Sequence, residues 1–232
     1  MIDLTIIIPV YNEIKTIEKL LSKVLSININ KQVIVIDDAS NDGTNEILQK
    51  YKNKINQLIF HKKNLGKGAC IKSAQKYIEG EFVGIQDADL EYDPNDLITI
   101  FNFIKKNSLD IVYGSRVLGK NKYENTQNFT HLIRIFGNVF LTKVSNILNN
   151  QKLTDAHTCY KVFKSEIFKD IELKENRFAF CPEITTKIAN KNFKITEIPI
   201  NYKGRTYSDG KKINSFDGII ALYCLFKYRL FK

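Results

Sequence analysis

A chain of 232 residues, 44% hydrophobic and 26% charged, is long enough to bury a full core as one domain, and it shows no linker, internal repeat or low-complexity tract. Its four cysteines, at 70, 159, 181 and 224, form no C-x-x-C pair and no His-rich spacing, which argues against a disulfide framework or zinc knuckle and for a reducing, cytosolic setting. The net charge of +10 calls for an anionic partner, but no interleaved basic and aromatic motif makes that partner a nucleic acid.

Leu4-Thr5-Ile6-Ile7-Ile8-Pro9-Val10 is a near-continuous apolar run closed by Tyr11-Asn12-Glu13, as expected of a strand buried on both faces. Ile14, Ile17, Leu20, Leu21, Val24 and Leu25 then recur at helical spacing, and Val33-Ile34-Val35-Ile36 ends in Asp37-Asp38-Ala39-Ser40, so a β-α-β unit opens the chain. Asn41-Asp42-Gly43-Thr44 supplies a turn and an N-cap before a helix near 44–53. A strand near 57–61, a helix over 66–79, a strand over 82–86, a helix over 94–107 and a strand over 110–114 complete an alternating α/β half.

Past Gly114 the pattern changes to a loop and then an amphipathic helix. Phe129, Leu132, Ile133, Phe136, Val139, Phe140, Val144, Ile147 and Leu148 fall at helical spacing in it, with Arg134 and Lys143 among them. Such a helix is more often an ordinary core helix, but it can also lie on a bilayer. A polar stretch, short helices near 164–170 and 182–191, a strand near 193–202 and a terminal helix near 214–229 follow. The predicted fold is α/β, a mainly parallel central sheet flanked by helices.

Asp87-Ala88-Asp89 stands at the end of the run Phe82-Val83-Gly84-Ile85, where a buried strand meets solvent. Ligands of open α/β sheets gather at that end of the strands, and clustered carboxylates there suit a hard divalent cation holding a diphosphate. Asp37 and Asp38 either cap the following turn or join that site. Tyr11 is either a strand-end core aromatic or a pocket wall. Residues 203–232 carry seven basic against two acidic residues, a net of +5. Arg205 and Lys211 lie there in a Gly-bearing polar loop, which reads as a solvated loop or as one that closes over ligands.

Pro9-Val10-Tyr11-Asn12-Glu13, Ile36-Asp37-Asp38-Ala39-Ser40 with Asp42-Gly43-Thr44, Asn64-Leu65-Gly66-Lys67-Gly68 and Asp87-Ala88-Asp89-Leu90 together resemble the ordered motifs of inverting family 2 glycosyltransferases. Gly114-Ser115-Arg116, the DAHTCYKVF segment at 155–163, Pro182-Glu183 and the RTYSDGK segment at 205–211 narrow the resemblance to the dolichol-phosphate mannose synthase group, over residues 3–222. The resemblance implies a GT-A type fold in one domain, residues 1–118 binding the nucleotide sugar and 119–232 facing acceptor and membrane. It implies Mg²⁺ or Mn²⁺ at Asp87, Asp89 and Glu91, with Ala88 giving backbone contact. Glu91 stands where the group usually has Gln. Pro9, Tyr11 and Glu13 correspond to the base and ribose end of the pocket, with Ile36 and Asp38 beside the base. Arg116, Arg205 and Lys211 correspond to cations that read phosphate.

The implied partners are a nucleotide diphosphate sugar, GDP-mannose or UDP-glucose, and a polyprenyl phosphate in an anionic membrane surface. A polyprenyl monophosphate is already anionic at neutral pH and needs no general base. Asp155, Thr158, Lys161 and Glu183 are the acceptor-side candidates, although the first turn of its helix suits Glu183 somewhat better, and a lone His such as His157 is more often structural. Residues 218–226, the longest uncharged apolar stretch near the end, fall far short of the ~20 a spanning helix requires, so no anchor within the chain is expected. The enzyme is expected to be peripheral on the cytoplasmic face, and a separate membrane-anchored subunit is one source of an anchor. Transfer to a sugar hydroxyl, or a nucleotide-responsive module without turnover, are the competing readings.

Overall fold

The computed structural model describes residues 1–119, 129–205 and 215–231. The chain alternates strand and helix through β1 (Leu4–Val10), α1 (Ile17–Ser26), β2 (Lys31–Asp37), α2 (Thr44–Lys50), β3 (Gln57–Phe60), α3 (Lys67–Gln75), β4 (Phe82–Ile85), α4 (Pro94–Lys106) and β5 (Ile111–Ser115). There follow α5 (Phe129–Asn149), β6 (Lys161–Lys164), α6 (Ser165–Lys169), α7 (Phe180–Asn190), β7 (Thr196–Pro199) and α8 (Ser215–Leu230). The expected alternation of the first half is present, with ends moved by a few residues.

These strands form one seven-stranded sheet in the order β3-β2-β1-β4-β6-β5-β7. Every pairing is parallel except the two made by β6, which runs antiparallel between β4 and β5. The sequence predicted a polar stretch and a helix from about 164, not this strand. Lys161 and Lys164 bracket Val162 and Phe163 and disguise it. Lys161 is nevertheless fully buried, its Nζ donating to the carbonyls of Ala156 (3.0 Å) and Thr158 (2.7 Å), so the ammonium is satisfied without water. Burial also lowers its pKa. Both β6 and β7 come from beyond residue 118, so the sheet is shared by the two halves of the chain.

The apolar runs of β1, β2 and β4 are almost wholly buried, as strands covered on both faces must be. Parallel pairing of β2-β1-β4 brings their carboxyl ends to one edge. Tight reversals follow at that edge, where Asn12, Ala39 and Leu90 adopt φ of 51°, 63° and 62°, the left-handed region. The loops that leave β1, β2 and β4 therefore turn at once and stay at the sheet edge.

The expected amphipathic helix is α5, but its described part faces the opposite way from an ordinary core helix. Thr142, Ser145 and Asn149 are buried, while Phe136 (71% exposed), Phe140 (57%) and Ile147 (81%) face outward with Lys143. The side chains of Phe129, Leu132, Ile133 and Arg134 lie outside the described residues. Helix α8 packs against α5 and α7 and carries a second outward stripe, Phe216, Ile219, Tyr223, Phe226 and Leu230. Among the described residues no helix is long and apolar enough to cross a membrane.

Candidate active site

A cleft of about 770 Å³ opens at the carboxyl edge of β1, β2 and β4, within the range of ~300–1,000 Å³ common for small-ligand sites. Of the residues singled out in the sequence, Pro9, Tyr11, Glu13, Asp38, Asp87, Ala88, Asp89, Glu91, Arg116 and Arg205 all line it. Ile36 does not, because it is fully buried within β2. Lys211 lies outside the described residues.

Asp38 is buried and heavily engaged. It accepts from the backbone N–H of Leu65 (3.0 Å) and Gly66 (2.6 Å) and meets His61 Nδ1 at 2.7 Å. It thereby ties the end of β2 to the turn before α3. Gly66 has φ of 97°, and a Cβ there would lie 2.7 Å from the carbonyl oxygen of Asn176, so only glycine fits this turn. Asp38, His61 and Cys70 place potential metal-binding atoms within 4.8 Å of one another, but the bonds just described already account for Asp38 as a turn anchor.

The acidic floor is held by two cations. Lys67 Nζ donates to Asp87 Oδ1 at 2.5 Å and to Cys159 Sγ at 2.7 Å. Arg205 spreads across the other carboxylates: its two terminal nitrogens bond Glu13 at 3.0 and 3.1 Å, one of them also bonds Asp89 Oδ2 at 2.9 Å, and its backbone N–H donates to Glu91 Oε1 at 2.7 Å. Tyr202 Oη donates to Glu91 Oε2 at 2.7 Å. Burial, followed by the negative charge of Asp87 and Glu91, pushes the Asp89 carboxyl up to about 7 against the pull of Arg205.

Four carboxylates (Glu13, Asp87, Asp89, Glu91) against Lys67 and Arg205 leave two formal negative charges in this cluster. One divalent cation balances that excess, and the donors are hard oxygens of the kind Mg²⁺ and Mn²⁺ prefer. The residues present therefore fit a metal, with Asp87 and Asp89 the freest to hold it. Glu91 would do so only while anchoring the segment 202–205.

Arg116 is set from below. Asp155, fully buried, takes Arg116 Nε at 2.6 Å and one terminal nitrogen at 2.7 Å, a two-pronged pair, and also accepts from Asn138 of α5 at 3.1 Å. Although burial works the other way, Arg116 and these hydrogen bonds hold the Asp155 carboxyl at about 2. Asp155 thus faces Arg116 and not the cleft. Thr158 and Lys161 are likewise buried away from it, Lys161 in the sheet as described.

Glu183 follows the helix-start reading and not the acceptor-side one. It is fully buried in the first turn of α7, where it accepts from the backbone N–H of Lys174 (2.6 Å) and Glu175 (2.9 Å) and from Lys187 Nζ (2.6 Å). It pins the 172–175 segment to α7. Glu183→Ala leaves two backbone donors and one ammonium without their acceptor and should cost about 3 kcal/mol of unfolding free energy, measured by urea titration. Glu183→Gln should keep the shape of the pH–rate profile; loss of one limb of that profile would return Glu183 to a proton-transfer role.

Among the cleft residues to which the sequence reading gave no role are Tyr202, described above, and Lys67 and Cys159, which stand together beneath Asp87 although 92 positions separate them. His157 does line the cleft; burial, then Lys161, lowers its pKa to about 4, so it is neutral at pH 7 and a weak base.

Residues 5–172 match the sequence model of the family described as Glycosyl transferase family 2. Among curated relatives, a dolichol-phosphate mannosyltransferase of Pyrococcus furiosus is 28% identical over 235 aligned positions, 97% of this chain and 64% of the relative. The chain thus spans less than two thirds of that protein. A UDP-N-acetylglucosamine–dolichyl-phosphate N-acetylglucosaminyltransferase of Methanococcus voltae is 27% identical over 247 positions, covering 98% of this chain and 96% of the relative. Among solved structures, glucosyl-3-phosphoglycerate synthase of Mycobacterium tuberculosis with Mg²⁺ and uridine diphosphate superposes with a TM-score of 0.69 at 12% identity, over 99% of this chain and 80% of the other. At that identity the likeness concerns architecture alone, and the architecture is the GT-A type expected from the sequence.

Proposed function

Since the chain belongs to glycosyl transferase family 2, we propose that it is an inverting, metal-dependent enzyme that moves a hexose from a nucleotide diphosphate sugar to a polyprenyl phosphate at the cytoplasmic face of a membrane. One observation carries the lipid acceptor. Helices α5 and α8, which wall the cleft through Asn138, Leu141, Gly218 and Ala221, also carry the outward stripes of Phe136, Phe140, Phe216 and Ile219. A lipid tail lying along those stripes keeps its phosphate at the cleft mouth. Lys143 lies exposed beside the α5 stripe, and each basic residue near an anionic surface adds ~1 kcal/mol of attraction. The names of the Pyrococcus and Methanococcus relatives, both transferases to dolichyl phosphate, point the same way.

Asp87 and Asp89, with Glu91 beside them, would hold Mg²⁺ or Mn²⁺, which supplies neutralising charge to the departing diphosphate. Pro9, Tyr11, Glu13 and Asp38 border the nucleoside end. Arg116, aimed by Asp155, and Arg205 meet phosphate oxygens, with Lys211 as a third cation. An oxygen of the acceptor phosphate attacks the anomeric carbon from the face opposite the leaving group, the bond to the diphosphate breaks, and configuration inverts. No proton has to be removed from the acceptor, which agrees with Glu183 lying outside the cleft and His157 being a weak base.

The test is transfer of radiolabelled sugar from GDP-mannose, UDP-glucose and UDP-N-acetylglucosamine into the organic phase with polyprenyl phosphate, with and without Mg²⁺ or Mn²⁺. Metal-dependent label in lipid from one donor establishes the reaction. Nucleotide binding without lipid label from any donor would sink the lipid acceptor. Metal binding should itself depend on pH. A proton must leave Asp89 before a cation binds, so Mn²⁺ affinity should rise about tenfold per unit below pH 7 and level off above it, measured by titration calorimetry.

A further inference from the structure

Arg205 is held by more carboxylates than a phosphate-reading arginine requires. Its side chain is 18% exposed and bridges Glu13, from the loop after β1, to Asp89 and Glu91, after β4. The backbone beneath it is fixed independently: Arg205 N–H and Tyr202 Oη fill the two carboxylate oxygens of Glu91, and Lys203 N–H donates to the Glu91 carbonyl at 2.9 Å. The root of the side chain is thus anchored, while its planar end rests on the oxygens that suit a divalent cation. We propose that Arg205 is an exchangeable internal cation that competes with the metal for Asp89. A divalent cation on Asp89 repels the guanidinium at contact distance, and the fork swings on its fixed root towards the diphosphate of the donor.

The inference deepens the metal-dependent reading above and rests on it. It makes metal and donor cooperative through one side chain: the metal releases the fork, and the fork then has phosphate oxygens to bind. Linkage makes the competition reciprocal, so whatever the metal does to the hold of Arg205, Arg205 does to the metal.

The experiment is a titration of the donor-free 232-residue chain with Mn²⁺, free ion being counted by electron paramagnetic resonance. Arg205→Gln keeps the length and removes the charge, and should bind Mn²⁺ at least about fivefold more tightly than the unaltered chain while binding nucleotide diphosphate more weakly. Arg205→Lys keeps one positive charge without the fork; it should fall between the two and serves if the Gln variant fails to fold. Equal or weaker Mn²⁺ binding in the variants, with the unaltered chain still binding Mn²⁺, would overturn the exchange and leave the metal site standing. No Mn²⁺ bound by any of the three at millimolar concentration would remove the metal site itself, and the exchange with it.

Discussion

Asp89→Asn should lower kcat/KM for sugar transfer about a hundredfold to a thousandfold and leave the unfolding free energy within about 1 kcal/mol of the original. The two effects part because the charge on Asp89 is useful and costly at once. The carboxylate stands among Asp87 and Glu91 with burial against it, which is why its pKa rises to about 7. Asn keeps the size and relieves that repulsion, while the hydrogen bond from Arg205 at 2.9 Å loses its ionic character, so the gains and losses in stability nearly offset. Function has no such compensation, since an amide is a poor ligand for a hard cation beside a diphosphate. Radiolabel transfer at saturating Mn²⁺ together with a thermal melt checks both halves. Activity within threefold of the original would remove Asp89 from the chemistry.

Asp155→Ala should do the reverse, striking stability first and activity through it. Asp155 is fully buried and carries the two-pronged pair with Arg116, so its removal strands a guanidinium that is only 24% exposed. Breaking such a pair from one side costs about 3–5 kcal/mol, readable by urea unfolding. The carboxyl is held at about 2, below its unfolded value, so it adds about 2–3 kcal/mol of stability that is fully present above pH 4 and is lost as the pH falls towards 2. The unaltered chain should therefore weaken over that window more steeply than Asp155→Asn. Equal acid sensitivity of the two would show that the pair does not stabilise the fold.

How far the sequence could be read depended on the range of the interactions. Strands β1, β2 and β4 were legible because strands buried on both faces leave apolar runs with no need of a partner to identify them. That Asp87, Ala88 and Asp89 line the cleft was legible because they are neighbours in sequence at a strand end. Strand β6 was not, since its central residues Val162 and Phe163 are enclosed by lysines and its place comes from pairing with β4 and β5 far along the chain. The same blindness hid Lys67 and Cys159. For Asp155 the acceptor-side expectation failed, and for Glu183 the helix-start reading held over the acceptor-side one: their motifs marked them as important, but whether a buried carboxylate serves a substrate or a neighbouring backbone depends on what faces it. The resemblance placed Ile36 beside Asp38, yet Ile36 lies within β2, fully buried in the core, whereas Asp38 stands just past the strand end, where the cleft opens.

The placement of β6 also bears on how the chain is made. Strands β1 to β4 can pair as soon as they leave the ribosome, but β4 keeps one bare edge until residues 161–164 emerge, and β5 has neither neighbour until then. An unpaired edge in a nascent chain is a template for joining another chain. Closure of this sheet waits for residues 161–164, and a fragment ending before residue 160 should associate with itself more strongly than the 232-residue chain.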